Sequence, residues 1–139
     1  YVLEIGKADI KREGTDVTVV SFGKIIKEAY KAAEELEKEG ISIEIIDLRT
    51  IRPMDHETIL ASVKKTNRLV ILEEAWPFGN IATEITYQVQ SQAFDYLDAP
   101  IIKINTADTP APYSPVLLAE WLPNHEDVIK AVKKVLYKD

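Results

Sequence analysis

Asp16-Val17-Thr18-Val19-Val20-Ser21, a helical pattern over 24–39, Gly40, and Ile41-Ser42-Ile43-Glu44-Ile45-Ile46-Asp47 together decide the fold class. The first segment is β-branched and bounded by Gly14 and Gly23, which reads as a buried strand. In the middle segment Ile25, Ala29, Ala33 and Leu36 recur at helical spacing. Lys24, Lys27, Glu28, Lys31, Glu34, Glu35 and Lys38 fall mostly elsewhere on the wheel. Gly40 supplies a C-terminal stop, and 41–47 is a second buried-type strand. Strand, helix and strand of these lengths predict a right-handed crossover between parallel neighbours.

The same alternation continues outward. Pro53 closes a loop, and Asp55 is placed to cap a helix through Ile59, Leu60 and Val63. A strand is expected at 68–73, a helix at 81–93 and a strand at 100–105. A proline-rich segment with Pro110, Pro112, Pro115 and Pro123 follows. Asn124 then caps a last helix with the stripe Val128, Val132, Val135 and Leu136. The pattern predicts one α/β domain in three layers, α/β/α, whose mostly parallel sheet is covered on both faces.

Composition narrows the chemistry. The 139 residues are 46% hydrophobic and 29% charged, ordinary values for a folded chain. Cysteine is absent, which excludes disulfides, thiolate metal sites and a thiol nucleophile. The net charge of −6 argues against a nucleic-acid partner. No apolar run approaches the ~20 residues of a membrane span. The opening Tyr1-Val2-Leu3, without an initiator Met, reads as a piece of a longer protein entering from a preceding domain, and 133–139 reads as a natural end.

Ligands of parallel sheets bind beyond the carboxyl ends of the strands. The loop at Phe22-Gly23 has neither G-x-G-x-x-G nor a P-loop, so nucleotide binding there is disfavoured. Asp47, Arg49 and Arg52 bracket a strand end. Two guanidiniums could clamp an anion, but the favoured reading is an internal ion pair with Asp47 answering one arginine. Glu73 and Glu74 are adjacent on a strand and so face opposite ways. At most one enters a cleft, with Arg49 or Arg52 as a partner. Trp76, Pro77 and Phe78 form a stiff apolar loop that reads as a protein contact. His56 and His125 each sit near a helix start with no third metal ligand signalled. By elimination the chain reads as a docking domain without a self-sufficient catalytic constellation.

Several stretches resemble a known family. Gly6-Lys7-Ala8, 14–21, and Ile46-Asp47-Leu48-Arg49-Thr50-Ile51-Arg52-Pro53-Met54-Asp55 are similar to the transketolase C-terminal domain family. Within it they look like the β subunit of 2-oxo acid dehydrogenase E1. Lys65-Thr66-Asn67-Arg68-Leu69-Val70, Glu73-Glu74-Ala75-Trp76-Pro77, Leu97-Asp98-Ala99-Pro100 and Ala107-Asp108-Thr109-Pro110-Ala111-Pro112-Tyr113 strengthen the likeness, most towards the pyruvate type. It covers 6–136. The sequence departs from the family at Ala75 and at Gly79-Asn80-Ile81-Ala82-Thr83, where the family is richer in glycine.

The resemblance implies a five-stranded mixed sheet with one antiparallel strand, around 8–12. It implies thiamine diphosphate and Mg²⁺ in the intact E1, between the α subunit and an N-terminal β domain outside this chain. No catalytic, cofactor-binding or metal residue carries over. The implied partners are the E1 α subunit, a second β subunit in an α₂β₂ assembly, and the binding domain of the E2 acyltransferase. Trp76, Pro77, Phe78, Pro112 and Tyr113 are the expected subunit interface, and Asp98 and Asp139 the expected E2-docking residues. Asp47, Arg49, Arg52, Glu73 and Glu74 are expected in structural ion pairs. The implied compartment is bacterial cytoplasm or mitochondrial matrix. Two alternatives stand beside this: a branched-chain 2-oxo acid substrate, and a stand-alone flavodoxin-like module binding a small anion through Arg49 and Arg52.

Overall fold

The computed structural model describes residues 2–138. Five strands, β1 (Asp9–Arg12), β2 (Val17–Ser21), β3 (Ile43–Asp47), β4 (Leu69–Leu72) and β5 (Ile102–Ile104), form one sheet in the order β1-β3-β2-β4-β5. β1 runs antiparallel to β3, and the remaining pairs are parallel. The mixed sheet and its antiparallel strand therefore stand as the resemblance implied.

Alternation along the central strands builds two cores at once, because successive side chains leave opposite faces. Val17, Val19, Ile43, Ile45, Val70 and Leu72 face α1 (Ile26–Lys38) and α5 (His125–Val135). Val20, Ile46, Leu69 and Ile71 face α2 (His56–Thr66) and α3 (Ile81–Ala93). Both faces are sealed, which is why the strands read as continuous apolar runs. Asp55 caps α2 through its bond from the Thr58 amide (3.1 Å). Asn124 and Asp127 close a reciprocal capping box on α5.

Two details depart from the periodicity reading. The strand expected at 100–105 is ordered only over Ile102–Ile104. The proline-rich segment also contains a short helix, α4 (Pro115–Trp121), with Pro at its first turn, where the missing amide costs nothing. No α4 residue is buried, and Val116 and Leu117 are exposed. A helix with no inward stripe leaves no periodic signal.

Gly14 is dictated by a close approach. A Cβ there would lie 2.2 Å from the Ile43 carbonyl carbon.

Candidate functional site

At the carboxyl edge of the sheet the chain leaves β4 into the loop 73–80. Glu73 is fully buried. Its Oε2 accepts the Ala82 amide (3.1 Å) and so caps α3, where a negative charge is favoured. Its Oε1 accepts Asn105 Nδ2 (2.7 Å). Asn80, at the N-cap position, instead turns its amide onto the Trp76 and Phe78 carbonyls (2.6 and 3.2 Å). Lys103 Nζ donates to the Pro77 carbonyl (2.5 Å).

A second loop is stapled to the first. The indoles of Trp76 and Trp121 both donate to the Thr109 carbonyl, each at 2.9 Å. The Thr106 amide donates to the Ala75 carbonyl (3.0 Å), and the Ala107 amide to the Trp121 carbonyl (3.1 Å). The pinned loops carry large side chains that face solvent. Phe78 is 88% exposed and Tyr113 is fully exposed, while Trp76 is about half exposed. Pro77 and Pro112 are half-buried. A rigid loop bearing outward aromatics loses little freedom when a partner covers it, so the arrangement suits protein contact.

The expected ion pairs are rearranged. Arg49 Nη2 bonds Asp9 Oδ2 (2.6 Å), and Lys11 Nζ reaches the same oxygen (2.6 Å). Lys11, with Arg49 beside it, holds the Asp9 carboxyl below the usual carboxylate range. Asp47 does not answer an arginine side chain. It accepts the Arg49 main-chain amide (3.0 Å), and Arg49 takes φ +59°. The partner lay on β1, whose antiparallel return periodicity does not reveal. Arg52 is exposed on a groove of about 660 Å³ with Met54, His56, Ile81 and Glu84. Glu73 meets Asn105 and Ala82 rather than Arg49 or Arg52, and Glu74 is exposed. With Arg49 held by Asp9, the two-guanidinium anion clamp is not assembled.

Asp98 sits at the opposite, amino edge, just before β5. Its amide donates to the Asn67 carbonyl (2.9 Å), and its carbonyl accepts the Tyr137 hydroxyl (3.2 Å). The carboxylate stands 3.8 Å from Arg68 Nη1 and is half exposed. Beside it Phe94, Leu97, Pro100 and Tyr137 line a groove of about 490 Å³. Asp139 lies outside the described residues.

The amino edge also holds a buried network that the sequence reading passed over. Glu44, 1% exposed, accepts Ser62 Oγ (2.6 Å), the Gly14 amide (3.2 Å) and Lys65 Nζ. Thr18 Oγ1 continues the chain to Ser62 (2.6 Å) and Thr66 (2.7 Å). Burial pushes the Glu44 carboxyl up, but the bonds from Lys65, Ser62 and Gly14 outweigh it and leave the group below its ordinary value. The available signal was an acid inside an apolar parallel strand, which requires partners. His56 opens α2, and His125 opens α5 with Nδ1 3.8 Å from Glu28 Oε1. Among the described residues no three His, Asp or Glu side chains gather as a cation site.

The family model "Transketolase, C-terminal domain" matches residues 6–128. The chain belongs to the transketolase C-terminal domain family. It is similar to the pyruvate dehydrogenase E1 component subunit β of Rhizobium meliloti (strain 1021), 56% identical over 99% of this chain and 30% of the relative. The corresponding subunit of Bacillus subtilis (strain 168) is 45% identical over 98% of this chain and 42% of the relative. The mitochondrial subunit β-1 of Arabidopsis thaliana is 50% identical over 99% and 38%. The chain thus spans between 30% and 42% of the length of these relatives. Among solved structures, a split-gene transketolase described as an inactive β4 tetramer superposes with a TM-score of 0.84 at 28% identity, over 97% of this chain and 43% of that one. A 2-oxoglutarate:ferredoxin oxidoreductase from Magnetococcus marinus, at 12% identity and TM-score 0.61 over 94% and 19%, shares the fold. No helix among the described residues is long and apolar enough to cross a membrane.

Proposed function

We propose that this chain is the C-terminal domain of a pyruvate dehydrogenase E1 β subunit, serving subunit assembly and E2 docking in the thiamine-dependent oxidative decarboxylation of pyruvate. The observation that carries the reading is identity of 45–56% to such subunits across essentially the whole chain. The pinned aromatic loops support it independently. In this reading Trp76, Pro77, Phe78, Pro112 and Tyr113 meet the α subunit or the second β subunit of an α₂β₂ assembly. Asp98 and the chain end near Asp139 face the E2 subunit-binding domain, with charge complementarity aiding encounter.

Thiamine diphosphate with Mg²⁺ belongs, in this reading, to the intact enzyme, between α and the N-terminal part of β. Bound there, it would supply nucleophilic and electron-sink chemistry for decarboxylation of a 2-oxo acid. The described residues gather no cation site that fits it, and no step is assigned to a residue of this chain. In this reading the enzyme works in bacterial cytoplasm or the mitochondrial matrix, which the bacterial and mitochondrial relatives support.

Reconstitution tests the proposal. An intact β subunit ending in this chain, mixed with its α subunit, should assemble at heterotetramer mass and oxidise pyruvate with thiamine diphosphate present. Preference for branched-chain 2-oxo acids would replace the substrate assignment, and failure to assemble would remove the function. Asp98→Ala in that enzyme should weaken E2 binding several-fold, as read by calorimetry, with E1 turnover on an artificial acceptor unchanged. Unaltered E2 affinity would take Asp98 out of the docking site.

A further inference from the structure

An open sheet edge offers unpaired main-chain groups to other chains unless something blunts it. At β1 the register against β3 slips between Ile10 and Arg12, an irregularity that interrupts regular pairing. β5, at the other edge, is regular. The Ile104 carbonyl accepts the Glu73 amide (3.0 Å), and the Thr106 amide donates to Ala75 (3.0 Å). Alternate residues thus face β4, and the main-chain groups of Lys103 and Asn105 turn outward.

The space beside them is a groove of about 370 Å³ between β5 and α5, lined by Lys103, Asn105, Asp127, Lys130 and Lys134. Its charge is positive, on a chain whose net charge is −6. Lys103 lines it with main chain, since its Nζ turns to the α3 face of the sheet, onto the Pro77 carbonyl (2.5 Å) and Thr83 Oγ1 (3.3 Å). Lys130 and Lys134 are exposed one helical turn apart. Among the described residues neither has a carboxylate within ion-pair distance. The single acid, Asp127, is engaged by the Asn124 amide (2.9 Å) in the α5 capping box.

We propose that the β5 edge receives an extended acidic segment of a partner protein as an added strand, with Lys130 and Lys134 reading its carboxylates on the α5 face. Main-chain pairing supplies the fit and the lysines supply the choice of partner. A second copy of the same edge is the wrong occupant. It would bring the exposed Lys130 and Lys134 of one copy alongside those of the other, and like charges repel. An acidic strand turns that repulsion into attraction.

The probe is an acetylated octapeptide of alternating Glu and Val, with a Lys–Val octapeptide and oligothymidylate as controls, added to the 139-residue chain. The Glu–Val peptide should bind saturably and slow amide deuterium exchange at Lys103 and Asn105. Raising salt from about 50 to about 500 mM should weaken it about tenfold. The double substitution Lys130→Glu/Lys134→Glu should weaken binding about tenfold at low salt, with thermal unfolding unchanged. Lys103→Pro removes an outward amide but none that bonds β4, and should abolish the exchange protection that the peptide gives Asn105. Equal binding of the Lys–Val peptide would overturn the proposal. So would Glu–Val binding that leaves Lys103 and Asn105 exchange unaltered, or oligothymidylate displacing the peptide as the tighter ligand, which would make the strip a phosphate contact.

Discussion

The two ends of the sheet solve the same problem, what to do with polar groups where strands stop, in opposite ways. At the amino edge, side chains bond each other in a continuous chain, Thr66–Thr18–Ser62–Glu44–Lys65, anchored by the Gly14 amide. At the carboxyl edge, side chains bond loop main chain: Asn80, Lys103, Trp76 and Trp121 each end on a carbonyl. The first arrangement satisfies its own polar groups inside the domain, and what that edge offers a partner, Asp98 beside the groove of Phe94 and Tyr137, is not a member of it. The second freezes irregular backbone and leaves the aromatic rings outside. The buried side-chain network serves stability, and the pinned loops serve presentation.

Glu44→Gln should produce the largest effect. It removes a charge that Lys65 faces and puts an amide donor among the donors Ser62, Gly14 and Lys65, a loss of about 2–3 kcal/mol in urea unfolding at neutral pH. The pH dependence separates charge from shape. The folded-state pKa of Glu44 lies below its ordinary 4.5, so its contribution is complete above pH 4.5 and lost as pH falls through the folded value. The variant should therefore lose less stability than the parent on acidification below 4.5. Parallel acid profiles would show that the network is held by its hydroxyls alone.

Glu73→Gln is the matched change at the other edge. Asn105 and Ala82 both donate to Glu73, but among the described residues no cation pairs with it, and one amide oxygen can still accept. A loss of about 1–2 kcal/mol is expected, with faster amide exchange in 74–82. An effect exceeding that of Glu44→Gln would reverse the division between the two ends.

Legibility in the sequence divides along similar lines. The crossover pattern at 16–47 needs only local periodicity, and its continuation along the chain implied the parallel core and both helical layers. Asp55 and Asn124 were readable as caps because the chemistry lies within three residues. The ion pairs were not. Arg49 finds Asp9 forty residues away, across an antiparallel pairing that only the family resemblance suggested. Glu44 and Lys65 meet because a strand and a helix end adjoin at the same edge, a fact of tertiary arrangement. α4 was hidden for another reason, since its apolar residues point away from the core and its proline imitates a loop.

Phe78→Ala carries the smallest effect on folding and the sharpest test of the contrast. With 88% of Phe78 exposed, truncation should change unfolding free energy by less than about 0.5 kcal/mol. If the carboxyl edge exists for presentation, the same substitution should weaken assembly of the intact enzyme at least about tenfold, measured as concentration-dependent dissociation by sedimentation. The opposite pairing of results, lost stability with unchanged assembly, would mean that the ring serves the loop rather than a partner. The hydrogen bonds to the neighbouring carbonyls come from Asn80 and Lys103, not from the ring. Truncating Phe78 therefore leaves the pinned backbone in place, and only a partner can register its absence.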